Sequence, residues 1–134
     1  MKVLCERDNV NQVADRATSV RLQRSIRLEG GDPDLDVGRV YAIEAIEERD
    51  GGIWFFVHVS PELEFPVPFP AEFFRVVDGE VPHHWHVTFR PRPGGDAIHR
   101  IAFRAWALDD HFYERLIDGD DQATAEYSKN RTTR

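Results

Sequence analysis

The chain has one cysteine and one methionine in 134 residues. A lone Cys5 excludes an intrachain disulfide, so the fold must rest on an apolar core rather than on covalent cross-links. Long apolar runs are missing too. The opening "MKVLCERDNV" has only a short apolar centre before charge returns, too little for the apolar region of a secretory signal. No stretch approaches the roughly 18 apolar residues of a membrane span. The expectation is a cytoplasmic protein with no membrane anchor. HExxH, CxxC and a glycine-rich loop followed by lysine and a helix are all absent, which removes the commonest zinc and phosphate signatures. "EGGDPD" and "RDGG" set glycines beside acids and read as turns.

What is present suits a packed core. Apolar residues make up 41% of the chain, with nine Phe and three Trp, which disfavours wholesale disorder. The length fits one domain over 1–134. We expect a β-rich core over about residues 35–105 and a helical segment over about 109–129. The net charge of −7 is uneven: residues 1–28 hold six basic and three acidic side chains, 29–80 hold three and thirteen, and 81–134 hold eight of each. An acidic middle repels phosphate backbones and attracts basic surfaces, acting on association rate more than on fold. Its plainer reading is a solvated surface that keeps a small protein soluble.

Along the chain, "KVLCER" reads as a first strand. Val10, Val13, Ala14 and Ala17 follow helical spacing behind Asp8 or Asn9 as N-cap, and a looser arginine-rich segment follows. Residues Val37 to Ile46 are rich in strand formers, and the Asp-Gly of "RDGG" tolerates the positive φ of a tight hairpin. The strand "IWFFVHV" should send Ile53, Phe55, Val57 and Val59 to the core and Trp54, Phe56 and His58 to the other face. Pro61, Pro66, Pro68 and Pro70 lack the amide a central strand needs, so their segment must be an edge or an extended connection. "EFFRVVDG" and "AIHRIAF" supply further strands. "LDDHFYERLIDG" reads as a helix capped by Asp109 or Asp110, with Phe112, Tyr113, Leu116 and Ile117 as its buried stripe and Gly119 as its stop. A second helix begins at Asp120 or Asp121, and "SKNRTTR" should fray. The fold class is therefore α+β and β-rich: a small curved antiparallel sheet or SH3-like barrel with an N-terminal helix and C-terminal helices.

The pattern "LDVGRVYAI", followed by an aromatic strand, by "FPAEFFRVVDGEVPHHW" and by "FYERLIDGDDQA", resembles a group of small bacterial proteins of mostly unassigned function. Their core is an SH3-like β-barrel, and some are suspected immunity proteins encoded beside polymorphic toxins. The resemblance covers about residues 35–125. Its motifs are strand entries and turns, so it implies a fold more than an activity and carries over no catalytic residue.

Three surfaces invite a functional reading. In "GEVPHHWHVTFRPRP" the residues His83, His84 and His86 flank Trp85, and on a strand His84 and His86 would share one face as two metal ligands. A zinc site needs further ligands, from His58, His99, His111 or a carboxylate. A metal-assisted hydrolase is thus the alternative to a binding protein; the plainer reading is an anchored Trp85 between solvated histidines, with no metal or cofactor. Arg16, Arg21, Arg24 and Arg27 could line one side of a helix toward phosphates, against which stand the chain's negative charge and the commoner use of such arginines in salt bridges. The third surface is Trp54, Phe56 and His58 beside Glu44, Glu47, Glu48, Glu62 and Glu64. Exposed, these aromatics would form a patch rimmed by carboxylates, suited to a basic protein such as a nuclease toxin. Otherwise they pack beneath the C-terminal helix, whose apolar stripe also needs a surface to cover. Cys5 lies in an apolar strand, where a thiol behaves as an inert hydrophobe. The leading expectation is a non-enzymatic protein-binding module of immunity type, with its oligomeric state open.

Overall fold

A computed structural model describes residues 1–25, 35–49, 51–91 and 97–132. The turn expected at Glu29–Asp34, Arg27, Asp50 of the hairpin and most of "PRPGGD" lie outside the described residues.

Seven strands form an open, mainly antiparallel sheet: β1 (Lys2–Cys5), β2 (Val40–Arg49), β3 (Gly52–Val57), β4 (Val67–Pro70), β5 (Phe74–Asp78), β6 (Trp85–Pro91) and β7 (Ala97–Phe103). The long β2 organises them. Its first residues pair with β1, which pairs with β5; its later residues pair with β3 on one side and β7 on the other, and β4, β5 and β6 lie outermost. The register of β2 against β3 shifts between Ile43 and Ala45. Such a bulge bends a strand and strengthens its twist, which lets one strand serve two directions of pairing. Gly51, at φ +74, turns β2 into β3 with Arg49 opposite Gly52, the tight hairpin expected from "RDGG".

The N-terminal helix is displaced from its expected position. Only a 3-10 turn forms at Val10–Gln12, and α1 spans Arg16–Ser25, the arginine-rich segment itself. The reason is a stronger cap: Asp15 Oδ2 accepts from the Thr18 amide at 2.9 Å and the Thr18 hydroxyl at 2.6 Å. Among the described side chains of α1, Leu22 is buried, whereas Ala17 is exposed.

Aromatic residues of β3 and β7 meet the C-terminal helices, α2 (Arg104–Ala107), α3 (Phe112–Ile117) and α4 (Asp121–Asn130). Trp106 is the hub. Phe56 and Phe103 meet it edge-on at 4.9 and 5.9 Å between ring centroids, and Phe112 and Tyr113 stack on it at 5.7 and 5.8 Å. Helix α2 was not expected, because four residues carry no readable period. The cap of α3 is His111 rather than Asp109 or Asp110, and Ile117 is exposed, since six residues bury only a narrow stripe. Gly119 stops α3 at φ +79, and Asp120 caps α4 through the Ala123 amide at 2.9 Å. The C-terminal end does not fray before residue 132, because Arg131 and Thr132 are held against β2 and β3. Among the described residues no helix is long and apolar enough to cross a membrane.

Candidate functional site

The residues expected to form one acidic aromatic surface are distributed over three places. Trp54 and Phe56 are buried, and so are Phe55 and Val57 on the opposite face, so β3 is covered on both sides. Phe56 lies under Trp106 and Tyr113, each 4.9 Å away, while the Arg49 guanidinium covers the Trp54 ring at 4.7 Å. Packing beneath the helices is the arrangement the chain adopts. Burial pushes the Tyr113 phenol up to about 12, and its hydroxyl donates to the Pro66 carbonyl at 2.7 Å.

Glu44 corrects the expected carboxylate rim. It sits at the β2 bulge with only 1% of its surface exposed. Its oxygens accept from the Thr132 amide at 2.8 Å and the Thr132 hydroxyl at 3.0 Å. Half-buried His58 lies close by, with Nδ1 3.1 Å from the Tyr127 hydroxyl and Nε2 3.4 Å from Arg131. Burial first, then the Arg131 charge, holds the His58 imidazole below its ordinary pKa, opposed by Glu44; burial also raises the Tyr127 phenol. These five side chains bind the end of α4 to the sheet.

Glu47 is a structural partner as well. Arg100 on β7, 4% exposed, gives Nε to Glu47 at 3.1 Å and Nη1 to Asp110 at 3.2 Å. A buried guanidinium needs such partners. Glu62 and Glu64 are exposed on the connection before β4. Of the proposed rim, Glu48, Glu62 and Glu64 remain on the surface.

The histidine cluster does not assemble into a chelate. His84 precedes β6, and its Nε2 lies 2.9 Å from the Asn130 carbonyl, whereas His86 stands exposed within the strand. Among the described residues no group of three or more His, Cys, Asp or Glu side chains converges as a metal site. Trp85 between them is buried, with its Nε1 unpartnered. Arg21 is committed to Glu72 at 2.6 Å and lies over the hairpin, where a side chain at Gly52 would collide with it. The Cys5 thiol is buried, donates to the Arg7 carbonyl at 3.3 Å, and is raised in pKa by burial.

The surface that sequence reasoning missed crosses β6, β7, β2 and β3. Phe89, His99, Glu48 and Ile53 stand opposite one another in successive registers, and Val87 and Ile101 form the adjoining row. Directly paired residues share a face. Val87 is 76% exposed, Phe89 60% and Ile53 39%; Phe89 meets His99 edge-on at 4.5 Å, and His99 Nδ1 lies 3.9 Å from Glu48. Ile53 was expected in the core. It lies at the hairpin end of β3, one pair beyond the last buried position, Trp54. The alternation of Val87 and Phe89 with His86 and Thr88 sets the two apolar side chains on one face without showing whether that face is open. Comparison with protein-family models, with curated proteins and with solved structures gives no match.

Proposed function

We propose that this chain is a non-enzymatic protein-binding module whose contact surface is the strip formed by Val87, Phe89, His99, Glu48 and Ile53. The observation that carries the reading is the exposure of Val87 and Phe89 on one sheet face with a carboxylate and an imidazole beside them. Soluble proteins seldom leave contiguous large apolar side chains open except where something binds. Such a surface has the usual make-up of an interface, an apolar and aromatic centre with a charged margin.

Within that class we favour an immunity-type inhibitor acting in the cytoplasm on a basic toxin. The acidic middle of the chain supports this by favouring encounter with a positive surface. We also read the first five strands as SH3-like. Support comes from β2, whose first half pairs with β1, itself paired with β5, and whose second half pairs with β3, itself paired with β4, and from the 3-10 turn at Ala71–Phe73 that joins β4 to β5.

Association kinetics with the product of the neighbouring gene test the proposal. Glu48→Lys should slow association, and added salt should do the same to the unaltered protein as the Debye length falls below about 10 Å. Phe89→Lys should act chiefly on dissociation. An unaltered rate for both variants would remove the strip from the interface, and a partner that never binds would sink the immunity reading.

A further inference from the structure

We infer that the outer edge of β6 pairs with β6 of a second copy of this chain, in an antiparallel ladder with its two-fold axis at Thr88. The inference goes beyond the partner-binding reading, because it concerns the main-chain edge of the sheet, shares only Val87 and Phe89 with the proposed strip, and is measured on the protein alone.

The direction of the β6 amides is the first argument. In an antiparallel pair, alternate residues point their N–H and C=O groups toward the neighbouring strand and away from it. The Trp85 amide is given to the Pro82 carbonyl at 3.1 Å rather than to β7, and Pro91, paired with Ala97, has no amide to give. The odd-numbered positions are therefore the outward ones. Val87 and Phe89 present main-chain donors and acceptors at an edge that no other described strand covers, and they are also the most exposed large apolar side chains of the described residues. An apolar edge with free donors is a template for another strand.

Charge and register select a second copy as the occupant. Val81–Pro91 contains no aspartate or glutamate in a chain of net charge −7, so two copies meet here with the least repulsion. An axis at Thr88 sets Val87 opposite Phe89 of the second copy and Phe89 opposite its Val87. Both are outward positions, so they exchange roughly four main-chain hydrogen bonds while the apolar side chains cover one another. The same register brings Trp85 opposite Pro91 of the second copy. One has its amide already committed and the other has none, so the ladder ends without leaving a donor stranded. A partner strand of unrelated sequence has no such built-in match. His99, Glu48 and Ile53 remain on the open face, now doubled across the axis.

Sedimentation equilibrium combined with amide hydrogen exchange tests this. The protein should reach twice its monomer mass with rising concentration, more readily in high salt, which screens the like net charge. The Val87 and Phe89 amides should become protected in step with association, while the inward His86 and Thr88 amides keep a protection independent of concentration. Phe89→Lys should weaken association by at least about tenfold, and Ile53→Lys, on the face but away from the edge, should leave it unchanged. A monomer throughout the concentration series overturns the inference. So does a dimer in which the Val87 and Phe89 amides exchange as in the monomer, or one that Ile53→Lys dissociates as readily as Phe89→Lys.

Discussion

Two of the sheet's three outer strands, β4 and β6, have opposite chemistry. On β4, Val67 and Phe69 lie opposite Val57 and Phe55, and the intervening positions are Pro68 and Pro70. Prolines there leave no outward donor, and the Pro66 carbonyl just before the strand is taken by Tyr113. The strand is closed by composition. On β6 the equivalent outward positions are Val87 and Phe89, each with its amide intact. Natural sheets blunt exposed edges with proline, charge or bulges. Here β4 has the prolines, and β5 has Arg75, Asp78 and a register shift against β1. On β6 two outward donors, at Val87 and Phe89, stand uncovered by any other described strand before Pro91 ends the run.

That contrast can be tested in order of expected effect. Phe56 stands opposite Pro68 beneath the closed edge, so Phe56→Ala should lower unfolding free energy by about 3–5 kcal/mol in a denaturant titration. A loss under about 1 kcal/mol would mean that the ring is not part of the core. Trp85→Ala should cost the open edge about 3 kcal/mol, at the lower end because its buried Nε1 has no partner to lose. His58 adds a pH dependence where β3 leads toward β4. Its folded pKa is held below the usual 6.5 or so, so below that value the unfolded chain binds the proton more readily. Its contribution to stability is present above about pH 6.5 and is lost as pH falls toward the folded pKa. Titrating stability against pH should show this decline, and His58→Gln should flatten it. Phe89→Lys should have the smallest effect on folding, within about 0.5 kcal/mol, as for other exposed positions. Pro68→Val restores an outward donor to β4 and should increase light scattering on concentration; unchanged scattering would show that the prolines do not protect that edge.

Much of this architecture was legible because the local signals were strong. Asp50-Gly51 fixed the hairpin, four prolines made their segment an edge, and the stripe of Phe112, Tyr113 and Leu116 placed α3. Two features were not legible, each for a physical reason. Glu44 reads as a surface carboxylate because its partner lies at residue 132, and no local pattern reports a contact of that separation. The candidate surface escaped because exposure of Val87 and Phe89 depends on which strand ends the sheet, a property of the topology rather than of "HVTF".

The clasp between Glu44 and Thr132 also bears on how the chain is made. A ribosome delivers residues in order, and early segments begin to fold while later ones are still being added. The carboxylate at the bulge of β2 is translated 88 residues before the threonine that receives it. Until then the two hydrogen bonds from Thr132 are missing at the bend of β2. Completion of this part of the interior is thus tied to the arrival of Thr132, just past the end of α4. A nascent chain stalled before residue 131 should be digested by protease within β2 and β3, while one carrying Thr132 clear of the exit tunnel should resist.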